Sequence, residues 1–396
     1  MFSVKTIFII VKSIELLIFV LYGKRLANAK SNKEFWKRSL IPIFTFGIIE
    51  GLRFGRGIDW NVYFYRYTNL AYKTTGDYEF LFELICNIEG ALNIPYPIFI
   101  MINEFAFIVG IFFIISRFKQ YSTYILPFVL SYTLFNENFI RWSMAIVFIF
   151  GGVYCLLSNK IIKSYLFVLL GFLTHSGSII IVPFFVLFKI LKDRQLTPIV
   201  STLLLVVTTF VLSLANLGFL IVLSKYMGNS SIGDIQAGGY FDATESLLAG
   251  TWGSQGIDNK GVLFKLRFFL GVAPIIYFAP RFIKKGTYEN FVYNLFLIGC
   301  LISPLFSLIE IFNRFSALLS FFGCIIGGVV YYNMLQSKKR LEKVLICLSM
   351  FCQFYPILAI IFFREGDFNM LFLWDANGRD CLPYWGVTTQ HPYGHE

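Results

Sequence analysis

The chain contains a series of apolar stretches about 20 residues long, and these stretches limit its fold more than any other feature. A helix of that length crosses the hydrocarbon core of a bilayer and satisfies its own backbone hydrogen bonds, which lipid cannot do. The 396 residues are 57% hydrophobic with a mean hydropathy of +0.69, more than a soluble domain of this size needs. The sequence therefore predicts an all-α integral membrane protein. Its predicted spans lie near 4–23, 39–52, 92–116, 121–136, 139–158, 198–224, 264–280, 291–309, 312–335 and 344–363.

One further apolar stretch, 161–191, is too long for a single comfortable span. It is interrupted by Thr174, His175, Ser176, Gly177 and Ser178. We interpret it as two short helices that meet at this break. With the pair, the chain forms a polytopic helical bundle of about 11–12 spans.

The basic loops give the orientation, because Lys and Arg are enriched in short cytoplasmic loops. The loop after the first span is strongly basic, and the later basic loops fall on the same side only if 161–191 is a pair. Both chain ends are then outside. This predicts a membrane domain over 1–363 with outer segments at 53–91 and 225–263, followed by a polar extracytoplasmic tail over 364–396. The cytoplasmic loops contain Lys24/Arg25, Lys30/Lys33/Lys37/Arg38, Arg117/Lys119, Lys160/Lys163, Lys189/Lys192/Arg194, Arg281/Lys284/Lys285 and Lys338/Lys339/Arg340/Lys343.

ATP-driven transport and cytoplasmic nucleotide-sugar chemistry are disfavoured, because the sequence lacks the motifs that such functions use. It contains no P-loop, no glycine-rich dinucleotide fingerprint, no Asp-x-Asp pair and no HExxH motif. The net charge of +11 resides largely in the short loops, where it sets topology, so it does not indicate a nucleic-acid partner. We expect neither a cofactor nor a metal ion.

Charged residues collect at the predicted outer ends of the spans, where a charge placed in the membrane is costly. Arg53, Arg56 and Asp59 follow the second span. Guanidinium groups suit bidentate contacts with phosphate, and the carboxylate can orient them or act as a base. The structural alternative is that these arginines reach the interface as helix-terminal cations. The set favours a site for an anionic headgroup, such as a lipid-linked phosphate.

Three further positions extend the candidate site. Arg141 lies just inside a span, and its structural alternative is an ion pair with Glu137 one turn earlier. His175 lies at the break, where it can exchange a proton or hold the break together by hydrogen bonds. Arg314 lies in an outer turn, and its structural alternative is a local pair with Glu310.

Other charges lie within the spans themselves. Glu104 is mid-span, where it is either a proton-coupling carboxylate or a partner for one of the arginines. Lys12 and Glu15 in the first span are three residues apart and are expected to neutralise each other. Residues 78–90 show helical spacing of apolar positions and predict a short amphipathic helix on the outer surface.

The sequence resembles the EpsG family of bacterial exopolysaccharide and capsule polymerases, which are grouped with Wzy-type O-antigen polymerases. The resemblance covers roughly 40–340. Trp60 stands where the family usually has Tyr, and Thr174 stands where it usually has Phe before the histidine. The matching positions are Arg53, Gly57, Asp59 and Tyr63 after the second span, Ile140-Arg141, His175-Ser176 and Arg314.

The resemblance implies a metal-independent glycosyltransferase in the bacterial inner membrane, with its active site facing the periplasm or exterior. It would join undecaprenyl-diphosphate-linked oligosaccharide repeat units, with membrane lipid and a chain-length regulator as further candidate partners. Cations, which stabilise a diphosphate leaving group, suit this reaction. The assigned roles are base for Asp59 and His175, diphosphate binding for Arg53, Arg56, Arg141 and Arg314, and secondary roles for Tyr63, Glu137 and Glu310.

Two other classes of function remain open. An O-antigen ligase-type transferase has the same leaving group and differs only in the acceptor. A flippase or transporter of lipid-linked sugars would place charge along a central path, where Glu104 is the main candidate, and would show internal pseudo-symmetry. No repeat is visible in the sequence.

Overall fold

The computed structural model describes residues 3–56, 60, 63–64, 67, 78–132, 136–137, 139–212, 261–306, 310–364 and 370–373. These ranges are built from α-helices joined by short 3₁₀ or π turns, which confirms the all-α prediction. Asp59, most of the segment 225–263, the tail beyond 373 and the side chain of Glu310 lie outside the described residues.

The chain forms two compact units. The first comprises Met1–Ile179 and Tyr355–Glu396, and the second comprises Ile180–Phe354. The helices of the first unit are α1 (Val4–Ala27), α2 (Asn32–Gly51), α3 (Phe80–Ala91), α4 (Tyr96–Arg117), α5 (Ser122–Val129), α6 (Ile140–Leu157) and α7 (Ile161–Thr174).

The second unit begins within a 3₁₀ turn, Ser176–Ile181. The last residues of its final helix belong to the first unit. Its helices are α8 (Val182–Val186), α9 (Phe188–Asp193), α10 (Pro198–Val206), which continues into the π-helix Val207–Leu212, α11 (Val262–Phe278), α12 (Tyr288–Phe306), α13 (Glu310–Met334) and α14 (Arg340–Phe362).

Among the described residues, five helices are long and apolar enough to cross a membrane. They are Tyr96–Arg117, Ile140–Leu157, Val262–Arg281, Arg314–Met334 and Arg340–Phe362. Helices α1, α2 and α12 contain 24, 20 and 19 residues, which is also enough to span, but they carry more polar side chains. The all-α, polytopic architecture is thus confirmed, although the span predicted near 121–136 begins with the eight-residue helix α5.

The predicted break within 161–191 is present. Helix α7 ends at Thr174, and His175 adopts an extended conformation with φ −154° and ψ 113°. The 3₁₀ turn and the short helices α8 and α9 follow, so the second half of the stretch is a chain of short pieces where we expected one helix. The amphipathic helix predicted over 78–90 is α3.

Glycines allow close helix packing within each unit, as small residues do in membrane bundles. In the first unit, a Cβ added to Gly51 on α2 would lie 2.7 Å from Cα of Met101 on α4. In the second unit, a Cβ added to Gly299 on α12 would lie 2.7 Å from the backbone nitrogen of Ser320 on α13. Both contacts involve backbone, which cannot move aside as a side chain can.

Candidate active site

A buried chain of ion pairs lies where α1, α2 and α4 meet in the first unit. Lys12 Nζ donates to Glu15 at 2.6 Å and also contacts Glu50 at the end of α2. Arg53 donates to Glu104 on α4, and its Nη1 also donates to the backbone carbonyl of Glu50 at 3.0 Å. The expected neutralisation of Lys12 by Glu15 is confirmed, and Glu104 takes an arginine as its partner, one of the two alternatives for that carboxylate.

A second buried group joins the residues after α2 to Arg364, which follows α14. Arg56 Nη1 donates to Glu137 Oε1 at 3.0 Å, and Arg364 Nη2 donates to Glu137 Oε2 at 2.7 Å. Glu137 is thus held by two arginines, and the structural alternative for Arg141, a local pair with Glu137, is not found. The reason is that the chain brings two distant guanidinium groups to this carboxylate, leaving Arg141 for another partner. Among the described residues, Nε and Nη2 of Arg56 have no hydrogen-bond partner.

Backbone pairing fixes the segment that carries these arginines. Arg53 forms an isolated antiparallel bridge with Phe372, and the amide of Leu373 donates to the carbonyl of Leu52 at 2.7 Å. The ring of Phe372 lies 4.5 Å from the guanidinium carbon of Arg56, a cation–π distance. Gly55, with φ +62°, supplies the left-handed turn between the two arginines.

Formal charge balances in these two groups, which together contain four cations and four carboxylates. An isolated buried charge is costly, so such a set persists only when its members pair. The exposed fractions of the Arg53 and Arg56 side chains are 1% and 0%, so both guanidinium groups lie below the surface in this arrangement. We call these eight residues the buried network; they are Lys12, Arg53, Arg56 and Arg364 with Glu15, Glu50, Glu104 and Glu137.

A second, more accessible cluster centres on the carboxylate of Glu79, immediately before α3. Glu79 Oε2 accepts from Arg141 Nη1 at 2.8 Å. Its Oε1 accepts from the backbone amide and the hydroxyl of Ser176 at 2.7 and 2.9 Å, and lies 3.0 Å from His175 Nδ1. The side chains of Arg141 and His175 are 13% and 16% exposed, so this cluster is open to a ligand where the buried network is not.

The electrostatics of the cluster keep Glu79 ionised. Burial by itself would raise the pKa of this carboxyl. The hydrogen bond to His175, the positive charge of Arg141 and the amide of Ser176 outweigh burial and lower the pKa to about 2. Glu79 is therefore an anion that holds a guanidinium and an imidazole beside each other.

Aromatic side chains surround this cluster. The rings of Tyr78 and Phe82 lie 5.0 and 5.9 Å from the guanidinium carbon of Arg141. Trp142 meets the ring of His175 edge to face, with centroids 5.4 Å apart. Tyr63 also hydrogen-bonds to Arg141. Tyr63 packs in a buried cluster with Trp60, Tyr67, Phe82, Cys86, Tyr96, Phe99, Ile100, Ile140 and Met144.

The structure thus brings some of the predicted site residues together and not others. Tyr63, Arg141 and His175 meet around Glu79, whereas Arg53, Arg56 and Glu137 belong to the buried network. Arg314 belongs to the second unit.

Glu79 and Ser176 were missed from the sequence. Glu79 is 62 residues from Arg141 and 96 from His175, so no local spacing pointed to it. Ser176 was quoted only as the neighbour of His175. In the described ranges, no three His, Cys, Asp or Glu side chains are grouped as metal ligands would be.

The apolar helices, the broken helix and the paired charges define a multi-pass, all-helical membrane protein. The model of the EpsG family matches residues 37–373, and the chain belongs to this family. Membership gives it a polysaccharide polymerase-like role at the level of the family. No curated protein and no solved structure matched the chain.

Proposed function

We propose that the protein is a polysaccharide polymerase that joins undecaprenyl-diphosphate-linked repeat units at the outer face of a bacterial inner membrane. The observation that carries this proposal is the Glu79 carboxylate, which holds Arg141 and His175 in one accessible cluster. A guanidinium that binds a diphosphate and an imidazole that accepts a proton are the two groups this transfer needs.

Arg141 is the proposed contact for the diphosphate. Its guanidinium already binds an anion, Glu79, at 2.8 Å, and it is partly exposed. A diphosphate that approaches the same face presents more negative charge than one carboxylate and can accept bidentate hydrogen bonds from it. Arg53 and Arg56 stay proposed contacts for the diphosphate. Arg314 belongs to the second unit and its role stays a separate prediction.

His175 is the proposed base. Its Nδ1 lies 3.0 Å from Glu79 Oε1, so an ionised Glu79 favours the tautomer that carries the proton on Nδ1. In that tautomer Nε2 is the nitrogen that accepts a proton. This resembles the arrangement in which a buried carboxylate orients a catalytic histidine. Asp59 remains the alternative base and lies outside the described residues.

The hydroxyl oxygen of the acceptor sugar attacks the anomeric carbon of the donor, and its proton passes to His175 Nε2. The bond between the anomeric carbon and the diphosphate oxygen breaks, and undecaprenyl diphosphate leaves with the electron pair. Arg141 stabilises the charge that develops on that oxygen. Aromatic rings around the cluster offer apolar faces to the sugars.

The test is turnover in vitro. Purified protein in lipid is given an undecaprenyl-diphosphate-linked repeat unit, and the product is scored as a ladder of longer glycans. We expect a ladder for wild type and its loss in Arg141→Ala and His175→Ala. The matched control for Arg141→Ala is Arg281→Ala, because Arg281 donates to Glu342 at 2.9 Å as Arg141 donates to Glu79 at 2.8 Å.

Two results would overturn the proposal. Wild type that transfers the glycan to lipid A core but never to a second repeat unit would identify a ligase. Wild type that moves the lipid-linked glycan across the bilayer without forming a bond would identify a transporter. A ladder unchanged in Arg141→Ala and His175→Ala would leave the polymerase class intact and refute this site.

A further inference from the structure

A cavity of about 830 Å³ lies where α1 ends and α2 begins. Its lining includes Lys24 and Arg25 from the last turn of α1 and Lys37 and Arg38 from α2. Glu34 is the acidic residue in the lining, so the five charged side chains carry a formal charge of +3. The cavity therefore favours an anionic ligand.

The walls of the cavity are held in place by one of these cations. Arg38 donates to the backbone carbonyl of Arg25 and to the carboxylate of Glu34. Glu34 also accepts from the amide of Lys30 at 2.7 Å, while the Ser31 hydroxyl accepts from the amide of Glu34 and caps the start of α2. Arg38 and Glu34 thus fix the α1–α2 connection.

The other three cations that line the cavity are exposed, and they do not hold the α1–α2 connection in place as Arg38 does. Among the described residues, Lys24, Arg25 and Lys37 form no ion pair, although Arg25 lies over the ring of Tyr22 at 4.8 Å. Three exposed cations therefore line a cavity whose backbone is held in place.

Apolar side chains continue from the mouth of the cavity along both helices. On α1, Ile10, Ile14, Leu17 and Leu21 are spaced three or four apart and are each about half exposed. On α2, Leu40, Ile41, Phe44 and Ile48 are similarly exposed. Leu21 and Ile41 also line the cavity, so the charged site and the apolar surface are continuous. A free phosphate would contact only the charged site, whereas a phospholipid would contact both the charged site and the apolar surface.

This cavity is separate from the candidate active site. Lys12 of the buried network is twelve residues before Lys24 on the same helix, which is about 18 Å at the helical rise. The family match begins at residue 37, so α1, which forms one wall of the cavity, lies outside it.

We infer that the cavity between α1 and α2 binds the headgroup of an anionic membrane phospholipid, whose acyl chains lie along the exposed apolar faces of the two helices. Basic pockets between membrane helices at a cytoplasmic surface are suited to such headgroups. The site is a lipid site of the α1–α2 hairpin and does not depend on which reaction the protein catalyses.

The experiment is a titration of the full-length protein in detergent with phosphatidylglycerol, followed by native mass spectrometry of the bound lipid. Two triple variants are compared, and each replaces two lysines and one arginine by glutamine. The first changes the cavity (Lys24→Gln/Arg25→Gln/Lys37→Gln), and the second, the control, changes another basic loop (Lys338→Gln/Arg340→Gln/Lys343→Gln). We expect roughly tenfold or greater weakening in the first variant only, since each basic residue near such a surface contributes to anionic lipid binding. Lys37→Gln alone, with an expected weakening of about fivefold, keeps the test available if the triple variant does not fold.

Two further arms separate the sources of the anion. Phosphatidylcholine is expected to bind at least tenfold more weakly than phosphatidylglycerol, given the charge in the cavity. Soluble glycerol 3-phosphate is expected not to compete at concentrations comparable to the lipid. Equal loss in both triple variants, equal binding of phosphatidylcholine, or efficient competition by glycerol 3-phosphate would each overturn the inference.

Discussion

Substitution of Glu79 by Gln tests the candidate site most sharply, because it removes a charge while keeping the size of the side chain. The carboxylate accepts from Arg141, from His175 Nδ1 and from the amide and hydroxyl of Ser176. An amide has one acceptor oxygen and one donor group, so it cannot satisfy all of these donors. It also leaves the charge of Arg141 uncompensated.

The structure gives the size of the effect. Glu79 is only 12% exposed, and its pKa is lowered from 4.5 to about 2, which corresponds to roughly 3 kcal/mol in favour of the ionised form. We expect Glu79→Gln to lose stability of that order. We also expect turnover to fall by roughly 10²-fold or more, the contribution of a positioned general base, because His175 loses the partner that sets its tautomer.

The assay combines initial rates of glycan elongation with thermal unfolding, and the control is Glu342→Gln in the second unit. If Glu79 positions His175, Glu79→Gln lowers kcat and shifts the pH profile of kcat, and Glu79→Asp recovers part of the rate. A purely structural role would lower the melting temperature without moving the pH profile. Turnover of Glu79→Gln within twofold of wild type would show that Glu79 does not position His175 for catalysis.

Three further predictions concern the rest of the fold. Glu104→Gln leaves the Arg53 charge buried without its partner and should lower the free energy of unfolding by about 3–5 kcal/mol. A double change of Glu104 and Arg53 to Met should lower it less than either single change to Met. Unfolding of the three Met variants in detergent measures this difference. If the double variant is the least stable of the three, the pair is not compensated as described. Gly299→Ala should lower the free energy of unfolding by about 1–3 kcal/mol, because its Cβ would lie 2.7 Å from a backbone atom. Gly110→Ala is the control: the nearest contact of its Cβ would be 3.6 Å, so its stability should be unchanged or higher. Equal melting temperatures of the two variants would show that close packing at Gly299 does not require glycine. The stability that the ionised Glu79 contributes should be fully present above pH 4.5 and should be lost as the pH falls from 4.5 toward 2. The difference in melting temperature between wild type and Glu79→Gln should therefore shrink between pH 4.5 and 2 and stay constant above pH 4.5.

Much of the helical architecture could be predicted from the sequence, because apolar length and basic loops are local signals. The break at His175 was found because 161–191 is too long for one span and is interrupted by small polar residues. The extra pieces after it, α8 and α9, were not predicted, because Pro183 at the start of α8 and the turn at Leu187 interrupt the helix where hydropathy remains high. Hydropathy reports burial in lipid and carries no information about such interruptions.

The partners of the charged residues were harder to predict. Lys12 and Glu15 are three apart on one helix, so their pair could be predicted from spacing. Glu79, Arg141 and His175 come from three separate elements, and their contact depends on the packing of α3, α6 and α7. The partner that local spacing offered for Arg141 was Glu137, one turn away, and it was only the structural alternative.

We propose that the protein forms glycosidic bonds with release of the undecaprenyl-diphosphate carrier. The most direct measurement counts undecaprenyl diphosphate released and glycosidic linkages formed by purified wild type in lipid, without added nucleotide. We expect one carrier released for each linkage, and the loss of both products together in Arg141→Ala. Movement of the glycan across the bilayer with its carrier still attached, and no release of undecaprenyl diphosphate, would contradict it.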